Sequence, residues 1–244
     1  LVLKALAACG ERFDALANEG AAVVEVGFGS MQVNLYEAGK MQSTQNLRLG
    51  ALRLRDTLQQ LNSARDDRER ILQETVAHEL DIYEHLHLCG RRVRHLIAIG
   101  DPIRVLYDKI MRAQQLNPEE ENFADIDRMK GLYQYVIART EAELEETLDL
   151  NPATTGVLLP AAVLYQRMAE TVGAEKVWFP GTRLIDGVAA DYAFEKQLVR
   201  RTHDFDADIL AAVQELATRY GERTVHRRYT VGCALQIFDA LKKA

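Results

Sequence analysis

The sequence is short of cysteine, has no long apolar run and carries no excess of basic charge, and each shortage removes a class of protein. Its three cysteines, Cys9, Cys89 and Cys233, are scattered and odd in number. They offer neither a metal-ligand spacing nor a disulfide framework, which points to a reducing cytoplasm. No apolar stretch reaches the ~18 residues of a membrane span and no signal peptide is visible, so no membrane partner is expected. The formal net charge is −6, and the arginines alternate with acids along helical segments. That pattern describes solvated helix faces and argues against nucleic acid as a partner. Internal repeats, low-complexity tracts and flexible linkers are missing too. What remains is an ordinary soluble globular composition, 48% hydrophobic and 27% charged over 244 residues, enough for one large core or two modest ones. The first residue is Leu1 and the chain enters at once into helical periodicity, from which a piece lacking its N-terminal part is expected.

The most informative stretch runs from Ala21 to Tyr36. It reads as an apolar strand, a tight glycine turn and a second, alternating strand. Glu25 closes the first strand, and Ser30 and Gln32 follow Gly27 and Gly29. Such a turn can aim backbone N–H groups and a hydroxyl at a phosphate, with an acid nearby to hold a divalent cation. Taken alone, Gly-x-Gly-Ser is equally the sequence of a plain hairpin turn.

Around it the periodicity predicts a helix over Leu1 to Asn18, with Leu3, Leu6, Ala7, Phe13 and Leu16 facing inward, and strands over Ala21–Val26, Met31–Tyr36 and Met41–Leu49 forming an antiparallel meander. A helix over Gly50 to Leu61 and a longer one over Arg65 to Leu88 follow. The longer helix is read with Ile71, Leu72, Thr75, Val76, Leu80, Ile82 and Leu86 inward. Val93–Ile99 and Lys176–Phe179 are short apolar runs of the kind expected for buried parallel strands. Between them Asp101-Pro102 opens a helix, Pro118 to Leu150 is acidic and helical with a break near Thr140, and Leu158 to Val172 is strongly apolar. Phe194 to Lys243 is helical throughout, with a break at Gly221. Three strands followed by strand–helix units give a mixed sheet covered on both faces.

This order, with several sequence blocks, resembles the exopolyphosphatase / guanosine pentaphosphate phosphohydrolase (Ppx/GppA) family. Glu25-Val26-Gly27-Phe28-Gly29-Ser30-Met31-Gln32 is similar to the family's Asp-Ile-Gly-Gly-Gly-Ser-Thr-Glu element, and Leu47-Arg48-Leu49-Gly50-Ala51-Leu52-Arg53-Leu54 to its Pro-Leu-Gly-Ala-Val-Arg-Leu block. Val177 to Gly187 stands where the family has Val-Ser-Asp-Gly-Gly-Leu-Arg-Glu-Gly. Leu158 to Leu164 resembles the helix before the family's last strand, and Arg219 to Leu241 the opening of its HD-type helical domain.

The resemblance implies an α/β fold: an actin-like/Hsp70/sugar-kinase (ribonuclease H-like) lobe with a mixed sheet flanked by helices, followed by an all-helical C-terminal segment. Residues 1–193 would be the second lobe and 194–244 the start of the HD-like domain, the first lobe being absent. It implies release of terminal phosphate from polyphosphate or guanosine pentaphosphate with Mg²⁺, in a cytoplasmic protein that forms a homodimer. Carried over by position, Gly27, Gly29, Ser30 and Arg183 would bind phosphate. Glu25 would be catalytic and hold the metal, Gln32 would stand at the second catalytic position, and the general base would come from the first lobe. The rival reading is a catalytically impaired polyanion- or nucleotide-binding module, or a regulatory scaffold. It is suggested by Gln32 in place of glutamate and Phe28 in place of glycine.

Two histidine groups are read structurally. His78, His85 and His87 lie near Glu79, Asp81 and Glu84 on a helix whose charged face is expected to be solvated. His203-Asp204 is read as a helix start, with Asp204 as its cap. The run Glu119-Glu120-Glu121 suits a helix N-terminal turn.

Overall fold

A computed structural model of the chain describes residues 2–7, 9–60, 65–111, 122–199, 203–221 and 224–242. The acidic run 119–121 lies outside them. Helices α1 (Val2–Ala7) and α2 (Glu11–Glu19) replace the single N-terminal helix expected, because Gly10 takes φ 67° and turns the chain. Strands β1 (Ala21–Val26), β2 (Met31–Glu37) and β3 (Lys40–Leu47) then form the antiparallel meander. Helices α3 (Ala51–Gln60) and α4 (Arg65–Tyr83) follow, α4 running on into one wide turn over Glu84–Leu88. Strand β4 (His95–Ile99) pairs parallel with β1, and α5 (Asp101–Leu106) leaves it.

A three-residue strand, β5 (Phe123–Asp125), was not expected from the sequence. It pairs antiparallel with β6 (Lys176–Trp178), which is itself parallel to β4. Between β5 and β6 lie α6 (Ile126–Ile137), α7 (Glu141–Leu148), the short α8 (Pro152–Thr155) and α9 (Leu158–Val172). The break near Thr140 is a capping box, in which Thr140 Oγ1 accepts the Glu143 N–H and the Glu143 carboxylate accepts the Thr140 N–H. Helix α10 (Leu184–Glu195) follows β6, and α11 (Phe205–Arg219) and α12 (Thr224–Lys242) end the chain, separated at Gly221 with φ 71°.

Among the described residues the strands make one mixed sheet in the order β3-β2-β1-β4-β6-β5. Alternation along β1 decides its two faces. Ala22, Val24 and Val26 enter the larger core with Met31, Val33 and Leu35, beneath α3, α4, α6 and α9. Ala21 and Val23 face the other way, with Tyr36, Ile97 and Trp178, beneath Leu6, Phe13 and Leu16 of α1 and α2. The inward stripe of α4 is Leu72, Val76, Leu80 and Tyr83, continued by Leu88, whereas Thr75, Ile82 and Leu86 face solvent. The spacing 72, 76, 80, 83 is that of one α-helical face, which leaves Thr75 and Ile82 outside it, and the wide turn at Glu84 adds a residue to the repeat and brings Leu88 onto the core. His78 and His85 are exposed, and His87 accepts from Arg219 at 3.1 Å.

Helix α11 lies on β3 and is fastened by a buried polar cluster. Asp208, 4% exposed, accepts the Tyr36 hydroxyl at 2.9 Å and His203 Nε2 at 2.7 Å. His203 Nδ1 reaches Asp14 of α2 at 3.3 Å, and Asp204 caps α11 through the Ala207 N–H, as expected from the sequence. The bond to Asp208, with the charges of both carboxylates, holds the His203 pKa above its ordinary value despite partial burial. A group held protonated by the fold stabilises it below its unfolded pKa and releases that contribution as pH rises through the folded one. The stability difference between the wild type and His203→Gln is therefore largest below about pH 6.5, at about 1–3 kcal/mol, and shrinks as the pH is raised. Urea denaturation across pH 5.5–9 measures it; a difference that does not change with pH would contradict a charged His203.

Candidate functional site

The carboxyl ends of β1, β4 and β6 open on one edge of the sheet, where ligands of open α/β sheets bind. Three loops meet there: the glycine turn Gly27–Ser30 after β1, Gly100 after β4 and Pro180-Gly181-Thr182 after β6.

The glycine turn is closed by the Gly27 N–H donating to the Ser30 carbonyl at 2.9 Å. The expectation that Gly27 offers its N–H outward is therefore not met, because that donor is used within the turn. The N–H of Gly29 makes no hydrogen bond to another described residue, and Ser30 is half-buried beside it. Neither Gly27, Phe28 nor Gly29 has a positive φ, so phenylalanine sits at the tip without backbone strain, 62% exposed.

The turn is held from behind by the first turn of α3. Ala51 N–H donates to the Gly27 carbonyl at 3.0 Å, and the N–H groups of Leu52 and Arg53 both donate to the Phe28 carbonyl at 3.1 Å. The orphan donors of a helix start are thus satisfied by the orphan acceptors of a hairpin tip. Gly50 makes the approach possible. A Cβ there would lie 2.5 Å from the Ser30 nitrogen and closer still to the Phe28 carbonyl. Arg53 then reaches over the turn, its Nε donating to the Gly29 carbonyl at 2.9 Å, and sets an exposed guanidinium at the tip.

A second support lies beneath. The Tyr165 hydroxyl, fully buried in α9, accepts the Val26 N–H at 3.2 Å and donates to the Ile99 carbonyl, bridging β1 and β4 where their ladder ends. Desolvation keeps this phenol protonated by raising its pKa. Gly100, with φ 134°, passes so near that a Cβ would stand 2.8 Å from the Val26 carbonyl.

Glu25 and Gln32 are directly opposed in the β1–β2 register, on the face that carries Tyr36. Glu25 is partly buried, and desolvation raises its carboxyl pKa. Gln32 donates from Nε2 to Asn34 Oδ1 at 3.3 Å, leaving its amide oxygen as an acceptor. Mg²⁺ takes oxygen ligands, commonly one or two carboxylates with the rest from substrate and water. Glu25 with the Gln32 oxygen meets that minimal set, and a partly desolvated carboxylate gains from a cation beside it. Among the described residues no three His, Cys, Asp or Glu side chains converge on a metal position.

Arg183 stands apart from this group. It precedes α10, where the Asp186 carboxylate turns back to accept the Arg183 N–H at 2.7 Å, and its guanidinium lies 3.7 Å from the same acid, exposed. β4 lies between β1 and β6, so Arg183, beyond the end of β6, follows a strand that is not a neighbour of the one carrying the glycine turn. The structure thus brings Glu25, Gly27, Gly29, Ser30 and Gln32 together and leaves Arg183 across the edge. It adds Arg53, Gly50 and Tyr165. The sequence signal for Tyr165 was the one phenol inside the run Leu158 to Val172.

The fold is that of the Ppx/GppA exopolyphosphatases. An Aquifex aeolicus member of the Ppx/GppA protein family aligns with a TM-score of 0.63 at 14% identity, over 80% of this chain and 61% of its own. An exopolyphosphatase from Cytophaga hutchinsonii aligns with a TM-score of 0.64 at 15% identity, over 80% and 62%. An exopolyphosphatase-like protein aligns at 0.58 and 16%, over 73% and 60%. The chain therefore spans about three fifths of the length of the solved structures it matches. No protein-family model matches the sequence, and no curated protein does. No helix of the described residues is long and apolar enough to cross a membrane.

Gly50→Ala is expected to cost about 2–4 kcal/mol, because the new methyl group meets backbone that cannot withdraw. Chemical denaturation checks this; a loss below 0.5 kcal/mol would show that the α3 clamp yields (about the size of an ordinary surface change). Burial of the Glu25 carboxyl favours its neutral form, so the fold loses stability as pH rises through the raised pKa. Glu25→Gln is expected to raise the melting midpoint at pH 7, with the gain fading toward pH 4. Differential scanning calorimetry at the two pH values reads it.

Proposed function

We propose that this chain is the phosphate-holding lobe of a phosphoanhydride hydrolase that releases terminal phosphate from polyphosphate or guanosine pentaphosphate. The observation that carries the reading is the braced glycine turn. Its carbonyls are bound inward by α3, its Gly29 N–H and Ser30 hydroxyl lie at the open sheet edge, and the Arg53 guanidinium rests on its tip. Preorganised donors of this kind stabilise charge on phosphoryl oxygens without reorganising during the reaction.

Each residue then has a part. Gly27 closes the turn, Gly29 and Ser30 donate to a phosphoryl oxygen, and Arg53 supplies positive charge, its Nη groups free of any ion pair with a described residue. Glu25, with the Gln32 amide oxygen, would hold Mg²⁺, which when bound neutralises charge on the phosphate chain. Arg183, which follows β6, would meet a more distant phosphate of an extended chain. The general base that activates water is taken from a first lobe, as the family pattern has it. On the same reading residues 1–193 form the lobe and 194–244 begin a helical domain, in a cytoplasmic homodimer.

A second reading, a binding module without turnover, is favoured by Gln32, which can hydrogen-bond but cannot serve as a base. The two differ in one assay, phosphate release from polyphosphate by a full-length protein that contains this lobe. Hydrolysis predicts measurable release that falls on the order of 100-fold in Glu25→Ala and about 10–100-fold in Arg53→Ala. Saturable polyphosphate binding without release would select the binding module. Release equal in all three proteins would remove this turn from the reaction.

A further inference from the structure

A second cavity, of ≈ 570 Å³, lies away from the glycine turn on the helical side of the sheet, between α3, the start of α4, the α6–α7 corner and the start of α9. Three guanidinium groups line it, from Arg55, Arg68 and Arg139, against two carboxylates, Glu69 and Glu141. Their positive charge is poorly answered inside the cavity. Arg55 donates to Asp56, at 2.9 and 3.2 Å, and Asp56 is not part of the wall. Arg139 lies 3.5 Å over the Tyr135 ring and donates to the Tyr135 carbonyl, with no ion pair to a described residue. Arg68 meets Glu141 only at 3.5 Å, and its Nε is buried without an acceptor. Glu69 is already engaged by the Tyr133 hydroxyl.

Leu58, Val136, Leu144, Leu159 and Pro160 give the wall an apolar part, beside the polar Gln59, Thr140 and Thr155. A volume of this size is typical of small-molecule sites, which pair an apolar wall with a few charged groups that fix orientation. Guanidinium forks match phosphate oxygens bidentately, and a buried N–H without an acceptor costs stability until one arrives. A lone inorganic anion would answer the arginines and leave the apolar wall wet. We propose that this cavity binds a phosphorylated organic anion of nucleotide size, its phosphates on Arg55, Arg68 and Arg139 and its ring system against the apolar wall. No residue of the cavity belongs to the glycine turn, so the proposal stands or falls apart from the hydrolase reading.

Isothermal titration of the Ser30→Ala/Arg53→Ala protein, in which the phosphate donors of the glycine turn are removed, tests it with ATP as the probe and adenosine and tripolyphosphate as its two halves. ATP is expected to bind one site per chain, at least about tenfold more tightly than either half. In that background its affinity is expected to fall at least about tenfold when Arg68→Gln/Arg139→Gln is added. Glu141→Gln removes the carboxylate that competes for Arg68 and is expected to tighten ATP binding several-fold, a gain that a misfolded variant cannot mimic. The proposal is overturned if ATP gives no binding to the Ser30→Ala/Arg53→Ala protein, if adenosine or tripolyphosphate binds it as tightly as ATP, if the added arginine changes leave a folded protein that binds ATP unchanged, or if Glu141→Gln fails to tighten binding.

Discussion

The contact on which the site depends is the meeting of a hairpin tip with a helix start. Hairpin tips expose carbonyls and helix starts expose N–H groups, and either set left dry and unpaired destabilises a fold. Here the Gly27 and Phe28 carbonyls take the donors of Ala51, Leu52 and Arg53, across a gap that only the absence of a side chain at Gly50 allows. The consequence is directional. With its carbonyls bound inward, the turn shows the sheet edge its donors and carries a cation on its tip. An arrangement that is electrically positive and fixed in place suits an anion, whatever chemistry follows. Below it, the Tyr165 hydroxyl supplies the rung that the β1–β4 ladder lacks at its end, so the platform is stiff in both directions.

Much of the fold was legible because its strands and helices are strongly patterned. The meander from Ala21 to Leu47, the buried strand at His95–Ile99 and the capped helix at Asp204 all follow from local alternation, apolar runs and capping residues. Misses arose where geometry broke the repeat or gave too little of it. Strand β5 is three residues long, and the wide turn at Glu84 shifts the inward stripe beyond α4 by one residue, to Leu88. The split between α1 and α2 turns on one glycine with a positive φ, which periodicity alone does not weigh.

The site was legible only as far as its motif extends in sequence. Glu25, Gly29, Ser30 and Gln32 are neighbours in the chain, and the strand–turn–strand pattern is enough to gather them. Arg53 and Gly50 lie some twenty residues on, and Tyr165 far beyond, so their roles arise from packing that no local pattern encodes. Arg183 was placed by position in a loop block, but the Asp186 cap holds it at the start of α10 instead. The substitutions that set this chain apart, Phe28 and Gln32, change the edge of the cradle and leave its bracing intact, since Phe28 takes part in the clamp through its backbone carbonyl alone.

The account rests on which N–H groups of the turn are free. Backbone amide NMR during titration with tripolyphosphate and Mg²⁺ observes them one by one. Saturable shifts at Gly29 and Ser30, with the Gly27 amide held nearly still by its bond to the Ser30 carbonyl, are the predicted result. Shifts confined to other parts of the chain, or a Gly27 response as large as that of Gly29, would contradict it.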